Sequence, residues 1–383
     1  MGGFIKYVIV VGATAVAGVV LLSGFVVRRA GFEPQGFVSP TPYRLSYPSY
    51  FGNRTNFSDD NPLTVEGVAL GRRLFYERRL SRTSTISCAN CHQQARAFTD
   101  GRAFSVGFDG TPTKRNSMSL ANLLWVRNFF WDGRASSLEA QAVVPLTDPH
   151  EMGQSMDSSV AKLRASGFYD SLFGAAFGGG SDVPATGVAG VPVAGADGVG
   201  AITADRIVKA LGQFERTLIS ADAPYDKYIR GEYQLKAEER AGLLLFFGRA
   251  NCGNCHGGPK TFNETYHNNG LDLEPRDAGR AGVTGMGYDR GRFRVVTLRN
   301  IALTGPYMHD GRFGTLEEVI DHYNEHVEPS ETLSPTLRDT SNVPVRLRLT
   351  VREKGELLAF LRTLTDSAFV TDKKFSDPFV KSK

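Results

Sequence analysis

The chain has 383 residues, 41% hydrophobic and 22% charged, which is enough for two ordinary cores and unlike a disordered, collagenous or disulfide-dense protein. Its 44 Lys and Arg against 40 Asp and Glu leave a net charge of only +4. The charges are interspersed with no long basic run, which argues against a nucleic-acid footprint.

From Tyr7 to Val27 no residue is charged, and these 21 residues are the length a helix needs to cross a bilayer. Residues 1–30 are therefore predicted to be a transmembrane anchor. A secretory signal is the rival reading, with Lys6 as its basic start and Ala15-Val16-Ala17 as a cleavage tripeptide. Residues 31–61, with Pro34, Pro40, Pro42 and Pro48, have no helical period and are predicted to be a tether. Helical patterns follow. Val65, Leu70, Leu74 and Leu80 mark an amphipathic segment, Ser119 to Asn128 a second, and Ser136 to Val144 a third that stops at Pro145. Val160 to Ala165 and Ile207 to Leu218 continue the series around a Gly/Ala/Val-rich insert, 178–200, read as a surface loop. Lys236 to Phe247, Leu316 to Val327 and Arg352 to Leu364 are the helices of the second half. Strand signals are few, so the predicted fold is mainly α after the N-terminal helix.

The haem assignment rests on the four cysteines. Cys88-Ala-Asn-Cys91-His92 and Cys252-Gly-Asn-Cys255-His256 repeat one pattern. Two thiols three positions apart form thioethers to both vinyl groups of a haem, and the next imidazole is the proximal iron ligand. A zinc site needs more cysteines or a paired histidine, and a redox dithiol would not carry histidine in both copies. Two haems c are thus predicted, with His92 and His256 on their irons, in two cytochrome c-like haem domains, 62–220 and 221–383. Haem c is attached outside the bacterial cytoplasm, so the body is expected in the periplasm, tethered to the inner membrane, although Arg28 and Arg29 by themselves argue for a cytoplasmic body. An electron carrier ligates both irons fully, whereas an enzyme leaves one position open. None of the seven histidines lies between Gln93 and Pro149, and Met118 is the only methionine there. An open first iron is expected.

Phe98-Thr99-Asp100-Gly101, Arg115-Asn116-Ser117, Phe130-Trp131-Asp132-Gly133-Arg134, Ser137-Leu138-Glu139-Ala140-Gln141-Ala142 and Glu151-Met152 run in order through the first half. Thr297 to Thr304, Pro306-Tyr307-Met308-His309-Asp310-Gly311 and Thr315-Leu316-Glu317-Glu318 follow in the second. Over residues 60 to 370 the chain resembles the bacterial di-haem cytochrome c peroxidases and the MauG-type enzymes. That resemblance implies roles for single residues. Glu151 would move a proton between the oxygens of bound peroxide, Gln141 would position the peroxide, and Trp131 would relay electrons between the haems. Asn116, Thr304 and Pro306 fall on the family's calcium positions. The loop Gly107-Phe108-Asp109-Gly110 lacks the histidine that reductively activated members must displace. Tyr323 stands where many relatives carry an axial methionine for the second haem, and MauG-type enzymes use tyrosine there. Leu316, Val319, Ile320, Tyr323 and Val327 share one helical face, with Met286, Met308, His322 and His326 as rival ligands.

The function implied is an oxidoreductase that reduces hydrogen peroxide at the first haem. Electrons would arrive through the second from a small donor, a cytochrome c or copper protein, or from side chains of a partner protein. A non-enzymatic di-haem electron-transfer cytochrome is the alternative.

Overall fold

Short polar side chains set the helix starts. Thr64, Ser137, Ser155, Thr203, Thr315 and Thr350 each accept a hydrogen bond from the backbone N–H three residues on, satisfying a donor that the first helical turn leaves free. The computed structural model describes residues 39–178 and 201–380. The predicted anchor, the start of the tether and nearly all of the Gly-rich insert lie outside them. No helix among the described residues is long and apolar enough to cross a membrane.

The fold is mainly helical. The first half holds α1 (Val65–Tyr76), α2 (Cys88–Cys91), α3 (Leu138–Thr147), α4 (Met156–Ala165), α5 (Asp170–Phe177) and α6 (Ala204–Arg216). The second holds α7 (Pro224–Ile229), α8 (Ala237–Phe247), α9 (Gly253–His256), α10 (Ala281–Thr284), α11 (Leu316–Glu325), α12 (Val351–Arg362) and α13 (Ser367–Thr371). Two-residue strands β1 (Tyr266–His267) and β2 (Phe293–Arg294) pair antiparallel, with Tyr266 opposite Arg294.

Each half is built on one close helix crossing. A Cβ on Gly71 of α1 would lie 1.8 Å from the Ala210 carbonyl oxygen of α6, and one on Gly242 of α8 would lie 1.9 Å from that of Glu356 on α12. Only glycine lets these backbones meet. The rest of the pattern recurs at one constant interval. Asn122 and Asn300 are both left-handed, and Phe130 and Met308 both have positive φ. Asp132-Gly133-Arg134 recurs as Asp310-Gly311-Arg312, and the caps Ser137 and Thr315 open α3 and α11. The paired asparagines meet at Ser220: Asn122 Nδ2 donates to its carbonyl at 3.0 Å and Asn300 Nδ2 to its hydroxyl at 3.0 Å.

Two hydrophobic clusters fill the halves, one around Leu74, Phe75, Phe98, Phe173 and Phe214, the other around Phe246, Ile320, Leu357 and Phe360. Phe369 and Phe375, from the C-terminal segment, pack into the first. Arg115 spans the halves, bonding Asp132 of the first and Asp277 of the second, the latter through two nitrogens at 2.7 and 2.8 Å.

Two sequence expectations need correction. Ser119 to Asn128 is not a helix: residues 120–126 are buried on every side, so their apolar pattern marks burial and not a helical face. Asn122 at φ +63° turns the chain there, and only Leu123–Trp125 forms a 3-10 turn. Helix α3 does not stop at Pro145 but runs to Thr147. The chain then folds back, and Met152 N and Gln154 N donate to the carbonyls of Pro145 and Leu146 at 3.0 and 2.9 Å, bonding a helix end that proline weakens.

Candidate functional site

The four cysteines are all free, and burial pushes every one of their thiols up, Cys91 to about 11 and Cys252 to about 12. Thiols held protonated do not make a reactive dithiol, which needs a depressed thiol pKa. Among the described residues no three His, Cys, Asp or Glu side chains cluster as a metal site would require. The histidines beside them are set up differently. His92 Nδ1 faces the Phe98 carbonyl at 2.8 Å and His256 Nδ1 the Thr261 carbonyl at 3.2 Å, which leaves each Nε2 as the nitrogen that would bind an iron. The pattern therefore fits two covalent haems.

Beside the second motif lies a mostly apolar cavity of about 470 Å³. Cys252, Cys255 and His256 reach it from one element, and Leu316, Val319, Ile320 and Tyr323 from α11. Tyr323 Oη accepts a hydrogen bond from Asn269 Nδ2 at 3.0 Å, and the same amide approaches Met308 Sδ at 3.5 Å. Burial pushes the Tyr323 phenol up to about 12, against the pull of the Asn269 bond. Of the four rival ligands only Met308 lines this cavity. His322 is turned to the Asn269 carbonyl at 3.0 Å, His326 caps α11 on the surface, and Met286 is half exposed.

The family model described as di-haem cytochrome c peroxidase matches residues 65–234. The methylamine utilization protein MauG of Methylorubrum extorquens is 39% identical over 310 residues, 79% of each chain. The chain belongs to the di-haem cytochrome c peroxidase and MauG family. The cytochrome c551 peroxidase of Nitrosomonas europaea is 32% identical over 79% of this chain and 81% of its own. A solved MauG-like protein associated with microbial copper homeostasis shares 37% identity at a TM-score of 0.77, covering 88% of this chain and all of its own. Membership in this family implies two haem c groups and a peroxidase-type enzyme.

Helices α3 and α11, which follow the two motifs in turn, carry different side chains. Counted from the helix caps, Gln141 of α3 stands where α11 has Val319, and Pro145 stands where α11 has Tyr323. Proline offers no ligand. Gln141 is half-buried and its amide has no hydrogen-bond partner among the described residues. The loop returning to α3 carries Glu151, near enough for its charge to act on Cys91. Glu151 is likewise half-buried without a hydrogen bond to its carboxyl. Burial and the Asp148 carboxylate hold Glu151 above the usual carboxylate range, partly offset by Arg134.

Loop 107–110 lies directly on this segment. Phe108 N donates to the Glu151 carbonyl at 2.9 Å, and Asp109 pairs with His150 at 3.0 Å. A Cβ on Gly107 would lie 1.6 Å from the His150 carbonyl oxygen, and one on Gly153 would lie 2.2 Å from the Phe108 ring.

Trp131 lies elsewhere, against the cavity of the second site. Its Nε1 donates to the Asn116 carbonyl at 2.9 Å, and the next residue, Ser117, donates to the Cys91 carbonyl at 2.7 Å and touches His92 Nδ1 at 3.4 Å. The indole thus connects the proximal side of the first site to the second. Asn116, Thr304 and Pro306 line this same cavity. Sequence reasoning missed Arg294, which lines it too and is considered below.

Proposed function

We propose that the protein reduces hydrogen peroxide at an open first haem site, with electrons drawn through the second from a small donor protein or from side chains of a partner protein. What carries this reading is the asymmetry between α3 and α11: Pro145 replaces the ligand position, and beside it stands the unpartnered carboxyl of Glu151. Such a site is equipped for proton transfer rather than for a sixth ligand.

Cys88, Cys91 and His92 would hold one haem and Cys252, Cys255 and His256 the other, with Tyr323 as the candidate oxygen donor to the second iron. Bound haem would supply the redox chemistry that reduces peroxide. Glu151 accepts the proton from one peroxide oxygen and returns it to the other, which makes water the leaving group. Gln141, which cannot ionise, fixes the peroxide by hydrogen bonds. Trp131 is the electron route between the two sites. The oxygens of Asn116, Thr304 and Pro306 suit a hard cation such as calcium. Tyr323 favours the MauG-type branch of this reading, in which a partner protein is the electron source, because an oxygen donor stabilises oxidised iron more than a thioether does. Haem c attachment, which takes place outside the bacterial cytoplasm, supports a periplasmic body.

Glu151→Gln is expected to lower peroxide turnover about 100- to 10,000-fold, the usual cost of losing a positioned acid/base group, while both haems stay attached. Gln141→Ala is expected to cost less, since water replaces part of its hydrogen bonding. A Glu151→Gln protein within a few-fold of wild type would overturn the assignment.

A further inference from the structure

Arg294 is 6% exposed and lies on β2 against the cavity that holds Cys252, Cys255 and His256. A buried guanidinium is costly unless an anion or a full set of acceptors meets it. Arg294 has neither. Its Nε donates to the Phe130 carbonyl at 3.3 Å, and among the described residues its two terminal nitrogens have no partner. Glu264 is near enough to be felt but forms no ion pair with it. That carboxylate takes the Arg127 N–H at 3.2 Å on one oxygen and leaves the other buried without a bond. Glu264 is therefore not the counterion.

The cavity beside Arg294 is mostly apolar, and the other arginine in its wall, Arg249, is already paired with Glu353. A ligand for it needs a large apolar body and at least one anionic group, and a planar fork of N–H donors matches a carboxylate through two parallel hydrogen bonds. We propose that Arg294 binds a propionate carboxylate of the second haem and is the charge that sets that haem's potential. The proposal rests on the second haem being attached at Cys252 and Cys255. Arg294 also ties the haem to the route between the sites. Its backbone N donates to the Trp131 carbonyl at 2.7 Å, and Tyr266, its partner across the strand pair, packs against Gly133 of the same loop. A cation beside the propionate favours the more electron-rich, reduced haem, so its removal lowers the potential.

The test uses the full chain with its haems attached, comparing wild type, Arg294→Gln and Arg294→Lys. Pyridine haemochrome assay gives haems per chain, spectroelectrochemical titration gives both midpoints, and resonance Raman spectra give the propionate bending modes. Arg294→Gln is expected to keep two haems, move the second haem's midpoint to a more negative value, shift its propionate mode and leave the first haem's midpoint in place. Arg294→Lys is expected to restore the midpoint but not the mode, because it keeps the charge and loses the fork. Both midpoints unmoved in Arg294→Gln, or only the first haem's midpoint moved, overturns the proposal. If Arg294→Gln does not accumulate with its haems, Arg294→Lys decides: a changed propionate mode supports the proposal and an unchanged one overturns it. A wild-type chain with a single haem would instead overturn the di-haem reading itself, so the two failures are distinct.

Discussion

At the scale of the residue, the chemistry depends on the charge around one carboxyl. Glu151 ionises late because burial removes water from it and Asp148 repels its charge, while Arg134 acts the other way. The form that accepts a proton is the carboxylate, so turnover should rise with pH through a pKa above the ordinary carboxylate range. Asp148→Asn removes a like charge and should move that acidic limb to lower pH, and Asn retains the side-chain oxygen that accepts the His150 N–H. Arg134→Gln removes an opposite charge and should move the limb to higher pH. Pre-steady-state peroxide consumption across the acid range checks both. Shifts in the same direction, or none, would mean that the limb belongs to another group. The haem-binding residues were legible in the sequence because covalent attachment demands contiguous cysteines and histidine. Glu151 and Gln141 are singled out only by the family resemblance, since Gln141 lies on a helix and Glu151 on a loop folded back to it. Arg294 was not legible: in Phe293-Arg294-Val295-Val296 it reads as an exposed strand residue, and nothing local announces that the cavity buries it.

At the scale of the element, two helices with the same cap and register face the two sites with different side chains. Helix α11 offers Tyr323 where α3 has Pro145, so in the proposed function one framework gives one ligated and one open position. Tyr323→Met should raise the second haem's potential, because a thioether stabilises reduced iron and an oxygen donor the oxidised form. Potentiometry of the purified variant reads this directly. An unchanged potential would point to Met308, which shares the Asn269 amide with Tyr323. The inward face of α11 could be read from the sequence by its period, and Leu316, Val319, Ile320 and Tyr323 do line the cavity. The segment 119–128 could not, because a stretch buried on all sides has no polar face to show a period. The internal repeat is visible in the sequence itself as Asp-Gly-Arg at 132–134 and again at 310–312.

At the scale of the whole molecule, buried polar links join segments far apart in sequence. Arg299 and Asp226 form a fully buried pair, with a bond of 2.7 Å between Nη2 and Oδ1. Arg299 Nε also donates to the Pro259 carbonyl behind the second haem motif at 2.9 Å, and Tyr50 donates to Asp226 at 3.1 Å. Removing one partner of such a pair leaves a buried charge unmatched, which typically costs about 3–5 kcal/mol. Asp226→Asn should show that loss by denaturant titration, and a change below about 1 kcal/mol would mean that water reaches the site. The same long-range order holds loop 107–110 down on the Glu151 segment through Phe108, Gly107 and the Asp109–His150 pair. No histidine of that loop has to leave before peroxide can enter. Rapid mixing of the fully ferric protein with hydrogen peroxide, followed by haem absorbance and peroxide consumption, tests this most directly. The account predicts immediate spectral change and consumption without prior reduction. A ferric protein that stays inert until it has received one electron would contradict it.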